Sequence, residues 1–153
     1  MNTTQTLAQM QQLRLMGMQH AYQSQLELPF NHQLEGHELI EHLIQSEITY
    51  RSNEKTALLL RTAKLRLSAS IPEIECNTVR NISKQQIALL AEGNYIKQGQ
   101  NILITGATGC GKSFLACALA HQACVQGYKT MYFGMNRLIE KITIARLDGS
   151  YLK

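Results

Sequence analysis

The stretch Gly106-Ala107-Thr108-Gly109-Cys110-Gly111-Lys112-Ser113 decides how the rest of this chain is interpreted. It fits the pattern G-x-x-x-x-G-K-[ST] of a phosphate-binding loop, which needs a strand before it and a helix after it. Residues 101–105 form a short apolar run that predicts a buried strand. Residues 112–126 predict a helix that ends at Gly127. Pattern and context agree, and the stretch is interpreted as a nucleotide site.

The residue types of this loop suit a nucleoside triphosphate bound with magnesium. Glycines let backbone N–H groups approach the phosphates closely, and the N-terminus of the following helix adds its positive dipole end. Lys112 is expected to reach the β- and γ-phosphates, and Ser113 to place its hydroxyl on Mg²⁺. Thr108 and Cys110 occupy variable positions and are expected to contribute backbone only. We therefore predict ATP and Mg²⁺ as cofactors, with all eight residues in the site. The alternative is a loop that keeps its fold but has lost nucleotide binding.

The chain after the loop predicts an α/β fold. Residues 129–133 suggest a second strand, and residues 137–147 a further helix. Strand, helix, strand and helix in this order imply a parallel sheet. Two strands cannot cover their own edges, so we expect only the first part of such a domain.

The chain before the loop predicts helices. Residues 5–26 suggest two pieces broken at Gly17, a turn follows at residues 29–31, and residues 36–67 suggest one long helix. Residues 71–76 suggest a short extended segment. Ser83 and Gln86 form a capping box for a helix that stops at Gly93. We predict a helical assembly region at 1–70, a linker with one helix at 71–98, and a partial ATP-binding domain at 99–153.

Composition excludes several protein classes. With 153 residues, 44% hydrophobic and 17% charged, the chain is globular rather than disordered. It has no apolar run of the ~20 residues that cross a bilayer and no signal-peptide pattern at its start, so a cytoplasmic location without membrane contact is expected. Cys117 and Cys124 share a helix face and are predicted to pack inside rather than to bind metal.

Charge is uneven along the chain. Residues 27–47 hold five acids and no Lys or Arg, whereas residues 51–66 hold one acid and five bases, Arg51, Lys55, Arg61, Lys64 and Arg66. Such a basic stretch could meet a nucleic-acid backbone. The alternative is a solvated helix face balanced by the preceding acids.

Hydrolysis requires an acid that helps to hold Mg²⁺ and to polarise water. After Ser113 the chain offers Glu140 and Asp148. Helical spacing, with Arg146 inside the run, argues against a buried strand that ends at Asp148. No catalytic residue is assigned.

Several segments together resemble the IstB-like ATP-binding proteins, the helper ATPases of bacterial insertion sequences. The segments are residues 101–120 around the loop, 123–129, 94–101, 60–66, and Leu13-Arg-Leu-Met-Gly-Met18. The resemblance implies an AAA+ ATPase that assembles into homo-oligomers on DNA and assists a transposase. It also implies an aspartate-rich magnesium motif, a sensor residue and an arginine finger, which have no counterpart here. We therefore expect a truncated copy that binds ATP without efficient hydrolysis.

Three other functions stay open at this point. A helicase-loader-like replication ATPase shares the same chemistry with a different partner. A non-enzymatic DNA-binding or assembly module could use residues 5–67, with a vestigial nucleotide site. A small-molecule kinase fits least, because such enzymes usually begin near the phosphate loop.

Overall fold

The computed structural model describes residues 2–77 and 82–152, and these form helices joined by loops and 3₁₀ turns. The α-helices are α1 (Thr3–Gln12), α2 (Met16–Glu27), α3 (Gly36–Ala63), α4 (Lys84–Ala91), α5 (Asn94–Lys97), α6 (Lys112–Val125) and α7 (Met135–Leu147). Single 3₁₀ turns lie at Phe30–His32, Ile71–Glu73 and Ser150–Leu152. The chain divides into two compact units, Met1–Ala57 and Leu58–Lys153, with the division inside α3. The three predicted domain ranges stay a prediction.

The predicted α/β fold, with a parallel-sheet domain around the loop, is wrong for the described residues. Neither residues 101–105 nor residues 129–133 form a strand, and residues 2–77 and 82–152 contain no sheet. A strand requires ladder hydrogen bonds to a neighbour. In the second segment the Tyr132 N–H instead donates to the Ala63 carbonyl at the end of α3, at 2.9 Å. In the first segment the Leu103 side chain is 88% exposed, so burial does not hold it against a partner.

In the first unit, the break between α1 and α2 lies at Arg14 and not at the predicted Gly17. Arg14 has φ 58°, the left-handed conformation that commonly ends a helix. Gly17 lies inside α2 and is buried. A Cβ at Gly17 would lie 2.6 Å from the Ser46 carbonyl oxygen and 2.7 Å from the Glu47 Cα. This glycine therefore permits close packing of α2 on α3.

A carboxylate from α3 holds the start of α2. Glu47 is buried, and its Oε2 accepts a hydrogen bond from the Met18 N–H at 3.1 Å, in the first turn of α2. Its Oε1 accepts from Arg51 Nε at 2.7 Å. Burial raises the pKa of Glu47, but the hydrogen bonds from Arg51 and from the Met18 and Gly17 N–H groups outweigh it, so the pKa lies below its usual value. The carboxylate is therefore held in its charged form.

The core of the second unit surrounds α6. One cluster joins Cys117 and Ala118 of α6 to Ala69, and another joins Leu115 and Leu119 of α6 to Ile87 of α4. The Ser83 capping box is confirmed: its hydroxyl accepts from the Gln86 N–H at 3.1 Å, and its own N–H donates to Gln86 Oε1 at 2.9 Å. The segment predicted as extended at 71–76 instead begins with the 3₁₀ turn Ile71–Glu73. The long helix ends at Ala63, four residues before its predicted end, because Lys64 turns left-handed with φ 50°.

Replacing Gly17 by alanine tests the close packing of α2 on α3. In an open helix this change stabilises by about 1 kcal/mol through helix propensity. Here we expect the opposite sign, a loss of about 1–3 kcal/mol, because the new methyl group overpacks against the α3 backbone. Amide hydrogen exchange of α2 measures this loss of stability. The control is Gln23→Ala at an exposed position of α2; protection in G17A equal to or above wild type contradicts the packing.

The pH dependence of the first unit tests Glu47. A lowered pKa gives stabilisation that is complete above the unfolded-state value of about 4.3 and is lost as the pH falls through the folded value. We expect Glu47→Gln to destabilise the unit by about 1–3 kcal/mol at pH 7, because it removes a charged acceptor. The difference from wild type should shrink below about pH 4.3. Glu54→Gln, exposed on the same helix, serves as the control in pH-dependent unfolding; a difference that stays constant with pH contradicts this account.

Candidate functional site

The phosphate-loop stretch has a backbone that only glycine adopts easily at three of its positions. Gly106, Gly109 and Gly111 have φ of 152°, 82° and 89°. These values lie where residues with a Cβ are strained. A Cβ at Gly106 would lie 2.9 Å from the Cys110 sulfur, so that side chain would have to rotate away. The loop therefore closes tightly on itself before α6 begins.

The start of α6 is directly attached to this loop. Gly111 is the N-cap residue and Lys112 is the first residue of the helix. The first intrahelical hydrogen bond is donated by the Leu115 N–H to the Gly111 carbonyl, at 3.0 Å. The N–H groups of the residues between them have no acceptor within the helix, as at every helix N-terminus. Together with the helix dipole they favour an anion at this point.

Lys112 places its charge over the loop. Its Nζ donates to the carbonyl oxygens of Gly106 at 3.0 Å and Ala107 at 2.6 Å, and it lies 3.9 Å from the Cys110 sulfur. The ammonium group is thus folded back onto the turn that phosphates would approach. Ser113 is exposed in the first turn of α6, beside Lys112. Thr108 and Cys110 are exposed on the loop as well.

A cavity of about 870 Å³ opens beside the loop. Its lining includes the loop and the start of α6 with Phe114, together with apolar side chains from the segment before the loop, Ile74 and Ile82. Its volume lies within the range of about 300–1,000 Å³ that is usual for small-molecule sites. Sequence reasoning missed the contribution of Ile74 and Ile82, which precede the loop by more than twenty residues. Their apolar character within a polar linker was the available signal.

The carboxylates near this cavity and after the loop have roles of their own. Glu73 lines the cavity, and its Oε2 accepts from the Ser70 N–H at 2.9 Å as part of a capping box. Asp148 Oδ1 accepts from the Ser150 hydroxyl at 2.6 Å and N–H at 2.9 Å. These bonds, that of the hydroxyl first, hold the pKa of Asp148 below its usual value. Asp148 thus caps the turn after α7, in line with the helical interpretation of this segment.

Two cysteines of α6 were predicted to pack inside the protein. Cys117 and Cys124 are fully buried, which confirms their packing role, and Cys124 Sγ lies 2.7 Å from Thr130 Oγ1. Across residues 2–77 and 82–152, no three His, Cys, Asp or Glu side chains come together as a metal site. Within the same residues, no helix has the length and apolarity needed to cross a membrane.

The basic stretch predicted from the sequence spans both compact units. Arg51 and Lys55 belong to the first unit, whereas Arg61, Lys64 and Arg66 belong to the second. Arg51 is the partner of Glu47, so its charge is already paired. The cationic residues that remain available in the second unit are joined by others that lie much later in the chain.

Comparison with known proteins identifies the family. The family profile described as IstB-like ATP binding protein matches residues 8–153. A relative from Pseudomonas fluorescens, named as an ATP-binding protein of insertion sequence IS1162, is 41% identical over 152 residues, which are 99% of this chain and 66% of the relative. Two relatives from Sinorhizobium fredii, also named as insertion-sequence ATP-binding proteins, are 37% and 32% identical. They are matched over 95% and 97% of this chain and over 58% and 60% of their own lengths. The chain therefore spans about three fifths to two thirds of these relatives, and it belongs to the IstB-like ATP-binding protein family.

Proposed function

We propose that this chain is an ATP-binding helper for the transposition of a bacterial insertion sequence. Its family membership and the names of its relatives support this assignment over a replication function. The observation that carries the nucleotide site is the position of Lys112, whose Nζ lies on the carbonyls of Gly106 and Ala107 at the start of α6. A cation, a tight glycine turn and free N–H groups meet there, as a polyphosphate requires.

Each residue of the loop has a part in this proposal. The backbone of residues 106–111 surrounds the phosphates, and Lys112 exchanges its carbonyl contacts for the β- and γ-phosphate oxygens. Ser113, exposed in the first turn of α6, supplies its hydroxyl to Mg²⁺. The metal neutralises part of the phosphate charge when bound. The apolar wall with Ile74 and Phe114 suits the flat face of a base, because burying that face removes apolar surface from water.

Hydrolysis is proposed to be slow for this chain by itself. Attack by water needs a carboxylate that is available beside the metal. Among the described residues, Glu73 accepts a hydrogen bond from Ser70 and Asp148 accepts from Ser150, and Glu75, which also lines the cavity, has an interaction of its own. ATP would then act mainly as a ligand that changes which partners the chain can bind.

DNA, a transposase and further copies of the chain are the proposed partners. The insertion-sequence names of the relatives support the transposase and DNA. Assembly of several copies follows from the sequence resemblance alone. A transposase encoded by the same element is the partner of choice for the test, because helper and transposase act on the same DNA.

The loop is tested by nucleotide binding in the full chain. We expect Lys112→Ala to weaken the affinity for Mg²⁺-ATP by at least about tenfold, because it removes charge-assisted hydrogen bonds to the phosphates. Lys97→Ala, an exposed lysine of α5, is the matched control. Titration with a fluorescent ATP analogue measures the affinity. Equal affinity in K112A and wild type contradicts the site.

Cysteine labelling gives an independent readout of the same loop. Cys110 is exposed, whereas Cys117 and Cys124 are buried. Of these three cysteines, we expect a maleimide to modify Cys110 rapidly in the native chain, and Cys117 and Cys124 only after unfolding. Mg²⁺-ATP should slow the modification of Cys110 in wild type but not in K112A, as followed by mass spectrometry. Labelling of Cys110 that nucleotide leaves unchanged in wild type contradicts binding at this loop.

The transposition role is tested with a marked insertion element and its own transposase in a bacterial host. We expect the wild-type chain to raise the transposition frequency and K112A to fail, since nucleotide binding is lost. Phosphate release measured on the purified chain tests the slow hydrolysis. Rapid ATP turnover that K112A abolishes contradicts slow hydrolysis. A transposition frequency that does not depend on the chain contradicts the role as helper.

A further inference from the structure

A second, smaller cavity in the Leu58–Lys153 unit collects positive charge from distant parts of the sequence. It has a volume of about 280 Å³. Four cationic side chains line it, together with two aromatic residues and without any carboxylate: Lys64, Arg66, Arg137, Lys141, Tyr132 and Phe133. The cavity beside the phosphate loop differs, since it has Glu73 and Glu75 in its lining and Lys112 as its cation.

Local structure explains how these residues meet. The left-handed Lys64 ends α3, and the carbonyl of Ala63 just before it accepts a hydrogen bond from the Tyr132 N–H at 2.9 Å. Tyr132 also packs against the core cluster of Cys117 and Ala118. Gly134 then caps α7, which begins at Met135. The aromatic pair is therefore fixed between the end of α3 and the start of α7.

The first turns of α7 supply the other two cations. Arg137 and Lys141 are four residues apart, so they lie on the same face of the helix. Lys141 Nζ lies 4.9 Å from the centre of the Phe133 ring, a cation–π contact. This contact holds the ammonium group at the rim of the cavity without neutralising it.

The four charges are exposed and lack acidic partners in the described part of the chain. Each of the four residues is exposed to solvent. The ion pair that residues 2–77 and 82–152 form is Glu47 with Arg51, so none of the four has a carboxylate within salt-bridge distance there. Like charges gathered in one place repel each other, and a bound anion reduces this electrostatic repulsion. The cavity is therefore suited to an anionic ligand.

The charge of the whole unit favours a polyanion. By sequence, residues 58–153 carry twelve Lys and Arg against five Asp and Glu, whereas residues 1–57 carry three against six. A net excess of this size attracts a polymer of phosphates more strongly than a single small anion. The cavity is also smaller than the one beside the phosphate loop, by a factor of about three, and is therefore a poor fit for a whole nucleoside triphosphate.

We propose that Lys64, Arg66, Arg137 and Lys141 form a contact site for the sugar-phosphate backbone of DNA, with Tyr132 and Phe133 between them. Cations that track phosphates beside aromatic rings are the arrangement that nucleic-acid surfaces use. DNA rather than another polyanion is favoured by the insertion-sequence family of the chain. The inference rests on the proposed function for the identity of DNA, but it concerns a surface distinct from the nucleotide loop. Two of the four cations, Arg137 and Lys141, come from α7 and lie outside the basic stretch at residues 51–66.

The test measures DNA affinity of the full chain against salt. Fluorescence anisotropy with a labelled duplex, and with one of its strands alone, is recorded between about 50 and 200 mM salt. We expect the double variant R137Q/K141Q to bind about tenfold more weakly or worse. The slope of log affinity against log salt should fall by about 2, one for each phosphate contact removed. A stronger effect on one of the two DNA forms identifies which backbone the site accepts.

A charge-matched control separates a local site from net charge. The double variant K97Q/R146Q also removes two exposed positive charges, but outside the cavity lining. The K97Q/R146Q variant should keep the wild-type salt slope. The R137K/K141R variant should keep it too, because both positive charges of the site are still present. Equal losses in the two Gln pairs overturn the inference, and so does an unchanged slope in R137Q/K141Q or a wild-type chain that binds neither DNA form. ATP affinity of the wild-type chain is a separate measurement, so failure of the nucleotide proposal is distinguished from failure of this one.

Discussion

Burial of α6 on more than one side is the interaction on which the second unit depends. Its buried side chains are Leu115, Cys117, Ala118, Leu119, Ala123 and Cys124. Because most of these are small, neighbouring segments approach the helix closely, including α4 and the 3₁₀ turn Ile71–Glu73. A helix held along its length keeps its first turn in place as well. The loop is attached to that first turn, so the geometry of the candidate site follows from packing along the rest of the helix.

The first unit depends on a different kind of contact. Gly17 lets α2 lie directly on the α3 backbone, and Glu47 then satisfies N–H groups at the start of α2 that have no helical acceptor. The two features support each other, because the carboxylate reaches Met18 only when the helices are close. Here a buried charge is stabilised by hydrogen bonds and by Arg51, whereas the second unit relies on apolar burial.

Local signals predicted the helices well where the residues interact with near neighbours. The capping box of Ser83 and Gln86 and the buried face of Cys117 and Cys124 were predicted from spacing alone, and both are confirmed. The break at Gly17 was wrong, because glycine served close packing with α3 rather than termination. The strands at 101–105 and 129–133 were wrong as well, because an apolar run does not specify its hydrogen-bond partner. Tyr132 pairs with Ala63, nearly seventy residues earlier.

The sequence by itself determined the glycine turn at 106–111 and the helix that follows it, since these depend on the conformational freedom of glycine and on the helical pattern of nearby residues. It also predicted the family through matching segments along the chain. Tertiary structure alone decided which distant side chains share a surface. It placed Ile74 and Ile82 beside the loop, and it joined Lys64 and Arg66 to Arg137 and Lys141. The physical reason is that these groupings follow from packing around α6 and from where α3 ends and α7 begins in space, which spacing along the chain does not encode.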